Sequence, residues 1–229
     1  MERVGGAFFN RTKKQNAEIQ RVAKRTANLK KEQYRIIDRD GNVLLMKKGI
    51  AHEVAATVGE KRELLKGNIS IHNHPSGGTF SADDLSDFGY GAKEIVAASP
   101  EGTYSLVNTN VGKPNQYEGW LDLKRAMEND IQEVSTIQLR REARDNLRNS
   151  KTAKELRAIE DRFYKIQSEQ GNAEAQEYIT KNRQRYDSLV EQNTKEIDAE
   201  YRRLEVKPYD DYLKKNAKKY GFKYTFTPF

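Results

Sequence analysis

The chain has 229 residues, with 41 Lys and Arg against 34 Asp and Glu, three His and no Cys. The absence of cysteine excludes disulfide stapling and thiolate metal sites, so any metal must be held by His and carboxylates. Hydrophobic residues make up 36% and charged residues 33%, thin for one compact globule, where about 45–50% apolar is usual on a slightly broader count.

That balance predicts a compact part and an elongated, well-solvated part. No apolar run approaches the roughly 18–20 residues that span a bilayer. The short apolar patch Val4 to Phe9 lacks the long h-region of a signal peptide. The expectation is a soluble, cytoplasmic protein that does not engage a membrane. The net charge of +7 points toward acidic partners, nucleic acid among them. Against this, the charges mostly alternate in sign along a helical region, which marks a solvated face.

Residues 1–29 are basic and helix-prone, with Ile19, Val22 and Ala23 as a weak apolar stripe, and read as an N-terminal helix or arm. Residues 30–112 have the pattern of a small α/β domain. Gln33 to Asp38 is β-rich, Asp38-Arg39-Asp40-Gly41 is a hairpin turn signal, and Asn42 to Met46 returns. Glu53 to Leu65 predicts a helix, closed by Gly67. Asn68 to Ile71 predicts a short buried strand running into His72. Pro75 to Gly78 must be a loop. Ser81 is an N-cap candidate with Asp84 at the capping-box position, leading a helix to about Ala92. Glu94 to Ala98 and Thr103 to Val107 read as strands around the turn Pro100-Glu101-Gly102. Residues 113–206 carry sparse apolar positions at near-helical spacing, among them Leu123, Met127, Ile159 and Leu189, with a break at Gly171-Asn172. They read as a long helical hairpin with a coiled-coil-like seam. Residues 207–229 predict a helix from Tyr209 to Tyr220 after Pro208, closed by Gly221. Phe222 to Phe226 alternates and is read as a strand returning to the sheet of the first domain.

The chemistry concentrates in Ile71-His72-Asn73-His74-Pro75-Ser76-Gly77-Gly78-Thr79-Phe80-Ser81-Ala82-Asp83-Asp84. On an extended segment, His-x-His puts both imidazoles on one side, because strand side chains repeat with period two. Two imidazoles and one carboxylate are a common open ligand set for catalytic zinc, leaving a fourth position for water. Asp84 in a first helical turn is favoured in its ionised form by the helix dipole; Asp83 is the competing carboxylate.

The order His-x-His, Ser, x-x, Asp resembles the JAMM motif of the JAB/MPN metallopeptidase family over about residues 31–108. The gap from His74 to Ser81 is one residue shorter than in the commonest form of the motif, and the Ser-to-Asp spacing is kept. The resemblance implies a cytidine-deaminase-like α/β fold, a small mixed sheet with flanking helices, to which this chain adds its helical hairpin. It implies Zn2+ as cofactor, with His72, His74 and Asp84 as ligands and Ser81 positioning or stabilising the oxyanion. It also implies a general-base Glu on an early strand. Glu32 is the best match, with Glu53, Glu60 and Glu63 as competitors. The string His-Asn-His-Pro-Ser-Gly is also similar to RadC-type proteins. The continuation through Gly77-Gly78-Thr79-Phe80-Ser81 looks more like JAB-like domains of bacteriophage head-morphogenesis proteins and bacterial toxins.

The function expected is zinc-dependent hydrolysis of a peptide or isopeptide bond, such as a ubiquitin-like tail joined to lysine, by a phage-encoded enzyme in the host cytoplasm or the virion. The hairpin would then serve a protein partner. Two alternatives stand beside it: a phage structural or head-assembly protein on a JAB-like fold, and a RadC-like nucleic-acid-associated protein. His52 reads as a structural or surface residue, and Ser76, Gly77 and Gly78 as loop geometry. Trp120 and the tyrosines of the helical region read as packing, since they lack the basic-aromatic alternation of a base-stacking surface.

Overall fold

The computed structural model describes residues 11–49, 56–74, 77–110, 119–131 and 135–229. The chain divides into two compact units, Met1–Gln132 with Val206–Phe229, and Glu133–Glu205. The first is mixed α/β. The second is helical. Among the described residues, no helix is long and apolar enough to cross a membrane.

The first unit is built on a six-stranded mixed sheet. Its strands are β1 (Gln33–Ile37), β2 (Val43–Lys48), β3 (Ile69–Asn73), β4 (Glu94–Ser99), β5 (Gly102–Asn108) and β6 (Phe222–Pro228), in the order β2-β1-β3-β4-β5-β6. Only β3 and β4 run parallel. The β1–β2 turn forms where the sequence signals it. Asp38 Oδ1 accepts from the amides of Asp40 and Asn42 at 2.8 Å each, and Gly41 takes φ +81°. The strand expected at Phe222 to Phe226 returns to the sheet as β6, paired antiparallel to β5 from Asn108–Phe222 to Gly102–Pro228.

Period-two alternation sends β-branched side chains to both faces, and each face is covered. On one face Ile37, Ile69, Ile71 and Val96 pack against Ile19 and Val22 of α1 (Lys13–Thr26). Helix α1 is therefore a layer of the fold. Thr12 starts it with a full capping box to Gln15, and a buried ion pair from Arg11 to Glu94 pins its entry to β4. On the other face Tyr34, Ile36, Ile95, Ala97 and Leu106 pack against Leu85, Phe88, Leu123, Met127, Leu213 and Ala217.

Several elements differ from the sequence expectations. The helix expected over Glu53 to Leu65 is described as α2 (Val58–Leu64), capped by Thr57 and Glu60; its expected first turn lies outside the described residues. The helix expected from Ser81 to Ala92 is only one turn, α3 (Ser86–Gly89). Gly91 at φ +88° then turns the chain toward β4. Helix α4 (Gly119–Asp130), expected to open the hairpin, buries Leu123 and Met127 in the first unit instead. The Trp120 ring sits where a Cβ on Gly89 would come within 2.7 Å.

The second unit comprises α5 (Thr136–Leu147), α6 (Lys151–Gln170) and residues 172–205 of α7 (Asn172–Asn216). Gly171 at φ +109° separates α6 from α7 at the expected break. Leu139, Ala143 and Leu204 are buried together, with Ile197 and Tyr201 packed on them. Polar pairs extend the contact, including Thr152 Oγ1 to Glu196 and Asn146 Nδ2 to Glu200 at 2.7 Å each. Helix α7 also runs through Pro208, where a break was expected. Proline there removes the bond to the Leu204 carbonyl, but Leu213 and Ala217 are buried beyond it and hold the continuation on the core. The helix ends in a 3-10 turn, Ala217–Tyr220, and Gly221 at φ +84°.

Candidate metal centre

The pleat of β3 sets the geometry. His72 lies opposite Tyr34 of β1 and Ala97 of β4, on the face away from α1. His74 follows two residues on, and its amide donates to the Ala98 carbonyl at 2.9 Å, so the extended run persists past the strand end. Beyond residues 75–76, which are outside the described set, the chain turns through Gly77 (φ +74°) and Gly78 (φ +139°). A side chain at Gly78 is excluded twice, by that φ and by Val206 Cγ2, which would lie 2.6 Å from a Cβ. Phe80 is fully buried and meets the His72 ring edge-on at 6.3 Å between centroids.

Ser81 and Asp84 then close a reciprocal turn. Asp84 Oδ2 accepts from the Ser81 amide at 2.7 Å and from its hydroxyl at 2.9 Å. This brings Asp84 Oδ1 to 3.2 Å from His72 Nε2, and Oδ2 to 3.7 Å from His74 Nε2. The two rings lie 4.6 Å apart. One ligand atom from each of His72, His74 and Asp84 falls within 4.8 Å of the others. Of the sequence-predicted residues, these three and Ser81 are brought together.

The donor set fits a divalent cation that accepts nitrogen and oxygen ligands. Nε2 of His72 is buried and makes no hydrogen bond; it has the distance but not the alignment to bond Asp84. Such an orphaned buried atom is rare and calls for a partner. The backbone of Gly78 and Thr79 lies beside the His74 ring and favours its protonated form.

Electrostatics distinguish the two imidazoles. Burial, then the charge of His72, holds His74 down at about 4. His72 is pulled the other way. Burial opposes its charge, but Asp84 first, then Asp87 and Glu32, raise it above its ordinary 6.5. Burial works against the Asp84 charge, and the two imidazoles outweigh it, holding the carboxyl well below the usual range.

These directions set a pH dependence. The raised His72 contributes stability that is full below pH 6.5 and lost as pH rises through its folded value. The depressed His74 contributes stability that is present above 6.5 and lost as pH falls toward about 4. The metal-free protein should therefore melt at its highest temperature near pH 6.5, with respect to this site. A metal ion requires both rings neutral, so zinc should move that optimum upward. Its apparent affinity should fall about tenfold per pH unit once pH drops below the His72 value. Melting curves across pH, in chelator and in zinc, check both statements.

Glu32 directly precedes β1, and its carbonyl accepts from the Gly49 amide at 2.9 Å. Strand alternation puts it on the side of Tyr34 and therefore of His72. It is half-buried, and its charge is one of those that raise His72. The competitors are placed elsewhere. Glu60 caps Thr57 and pairs with Lys47 at 2.6 Å, and Glu63 is exposed on α2. Glu53, His52 and Ser76 lie outside the described residues. Asp83, the competing carboxylate, is exposed and pairs with Lys124 at 2.7 Å.

Two supporting groups escaped the sequence. The buried Asp87 accepts from Tyr34 Oη at 2.8 Å and pairs with Lys61 Nζ at 2.8 Å. Its place three residues after Asp84, on one helical face, was the available signal; Lys61 had none. Beneath the His74 loop, Tyr224 Oη donates to Asp210 at 2.7 Å and lies 2.6 Å from Thr79 Oγ1. A phenol has one proton to give, so the Thr79 hydroxyl donates to Tyr224. This ties the loop that follows His74 to β6 and the end of α7.

Compared with family models, curated proteins and solved structures, the chain matches none. What fold and site define is a mixed α/β unit in which His72, His74 and Asp84 come close enough together that they could hold a metal ion.

Proposed function

We propose that the chain is a zinc-dependent hydrolase of JAB/MPN type that cleaves peptide or isopeptide amide bonds, ubiquitin-like tails on lysine among them. The observation that carries this is the convergence of His72, His74 and Asp84, with Asp84 Oδ1 3.2 Å from a buried His72 Nε2 that makes no aligned hydrogen bond. The mixed sheet with helices on both faces and Glu32 on the site's side of β1 agree with it.

His72, His74 and Asp84 would hold the ion. When bound, zinc supplies Lewis acidity, bringing the pKa of a coordinated water down to about 7 and polarising a substrate carbonyl. Glu32 accepts the proton from the attacking water and returns it to the leaving amine. Ser81 orients the Asp84 carboxylate through its hydroxyl. The same hydroxyl would steady the developing oxyanion. Tyr34, Asp87 and Lys61 fix the floor of the site by their mutual bonds.

The test is hydrolysis of linear and lysine-branched peptide substrates by zinc-loaded protein. Cleavage should stop on chelation and return with zinc, and Asp84→Ala should not be rescued. Cleavage indifferent to chelator would refute the proposal, as would inertness of the loaded protein toward both substrate types.

A further inference from the structure

The charge of this chain is not spread as its interleaved helices suggest. Residues 11–31 contain eight Lys or Arg and one Glu, an excess of seven that equals the net charge of the whole chain. The remainder is balanced. In the helical unit the balance is local: Lys165, Lys181 and Lys195 each pair with a Glu one turn away.

Helix α1 behaves differently. Its buried Ile19, Val22, Ala23 and Thr26 face the sheet. At 100° per residue, Lys14, Arg21, Lys24 and Arg25 fall within an arc of about 100° on the opposite side. All four are exposed, and Lys30 and Lys31 continue the exposed row beyond the helix end. The ion pair on this face joins Arg21 to Glu18. Among the described residues, no carboxylate lies within ion-pair distance of Lys14, Lys24, Arg25, Lys30 or Lys31.

Beneath this row lies a further cation. Arg35 of β1 is only 6% exposed, and its buried Nη1 has no hydrogen-bond partner. Its other amino group donates to Gln33 at 2.7 Å. Burial, then Arg21 and Arg25, disfavours its charge. Glu18, paired with Arg21, is the carboxylate that opposes this; the fold thus keeps like charges together with only partial internal neutralisation, a cost that a bound polyanion reduces.

We propose that the outward face of α1, continued by Lys30 and Lys31, binds the phosphate backbone of nucleic acid without reading bases. From Lys14 to Arg25 the helix rises roughly 16 Å, which matches about five phosphates of one B-form strand at about 3.4 Å each. A membrane surface is the poorer occupant. An interfacial helix must lay its apolar face into lipid, and that face of α1 is spent on the sheet. A protein partner is also poorer, because protein interfaces need an apolar or aromatic centre, and residues 11–31 expose no large hydrophobic side chain. The surface lies across the sheet from His72, so it acts independently of the metal centre.

Fluorescence anisotropy of the full chain with a labelled duplex and a labelled single strand tests this. Over about 50–200 mM salt, duplex binding should weaken with a log–log slope near −4.5, and single-strand binding with a slope near −3.5. K14Q/K24Q/R25Q should lose affinity for both probes and reduce the duplex slope by about 2.7, with its melting temperature unchanged. K165Q/K181Q/K195Q removes the same charge from the helical unit and should bind like wild type. Absence of binding to both probes at low salt would overturn the proposal. So would equal losses in the two triple variants, or binding to phosphatidylserine vesicles and not to nucleic acid.

Discussion

Deleting residues 222–229 is expected to unfold the first unit at temperatures where the intact chain is folded. Strand β6 covers the whole length of β5, from the Asn108–Phe222 pair to the Gly102–Pro228 pair. Phe222 is 2% exposed and packs against Phe88, itself buried, with the rings tilted and their centroids 4.7 Å apart. Loss of one such aromatic side chain costs about 3–5 kcal/mol, against a total stability of roughly 5–15 kcal/mol for a domain. The deletion also removes the Tyr224 hydroxyl from Thr79 and Asp210. A fall of at least about 10 °C in melting temperature is expected, and Phe222→Ala should account for much of it. An unchanged melting temperature would mean that β6 is an ornament on a sheet that stands without it.

Glu32→Gln is expected to reduce amide hydrolysis by roughly 10²–10⁴-fold, the range for loss of a positioned general base. The replacement keeps the shape and removes the charge. Glu32 is not one of the converging ligand groups, so zinc content should stay at the wild-type level. Its charge contributes to the raised His72 value, so the pH at which zinc affinity begins to fall should move slightly downward. The paired readout separates a base from a ligand. Loss of zinc in Glu32→Gln would make Glu32 part of the metal shell, and full activity would return the role to another carboxylate.

Much of the site is legible in one stretch of sequence because its geometry is local. Period two puts His72 and His74 on one side, and the capping-type reciprocity of Ser81 and Asp84 fixes the carboxylate within four residues. The strand at Phe222 is legible from its alternation after Gly221. What was not legible depends on packing between distant segments. A stripe such as Leu123 and Met127 reports which face of a helix is buried, not what buries it, and here the cover is the first unit's core. Ser81 looked like the start of a three-turn helix, but only one turn forms, Ser86–Gly89, and Gly91 at φ +88° turns the chain out of it. Pro208 looked like a helix end, and burial of Leu213 beyond it outweighed the lost hydrogen bond. The Lys61 pair with Asp87 joins α2 to α3 across sequence that carries no spacing signal.

The central claim is a cation site made by His72, His74 and Asp84, and zinc content tests it most directly. Elemental analysis of wild type and His74→Ala, after zinc loading and removal of free metal, should find about one zinc per chain in the wild type, as an open His/carboxylate site requires. The variant should retain little, since losing a ligand must cost more than the roughly 10–100-fold typical of an outer-sphere partner. Equal zinc in both proteins, or none in either when both are folded, would contradict the site and the hydrolytic function built on it.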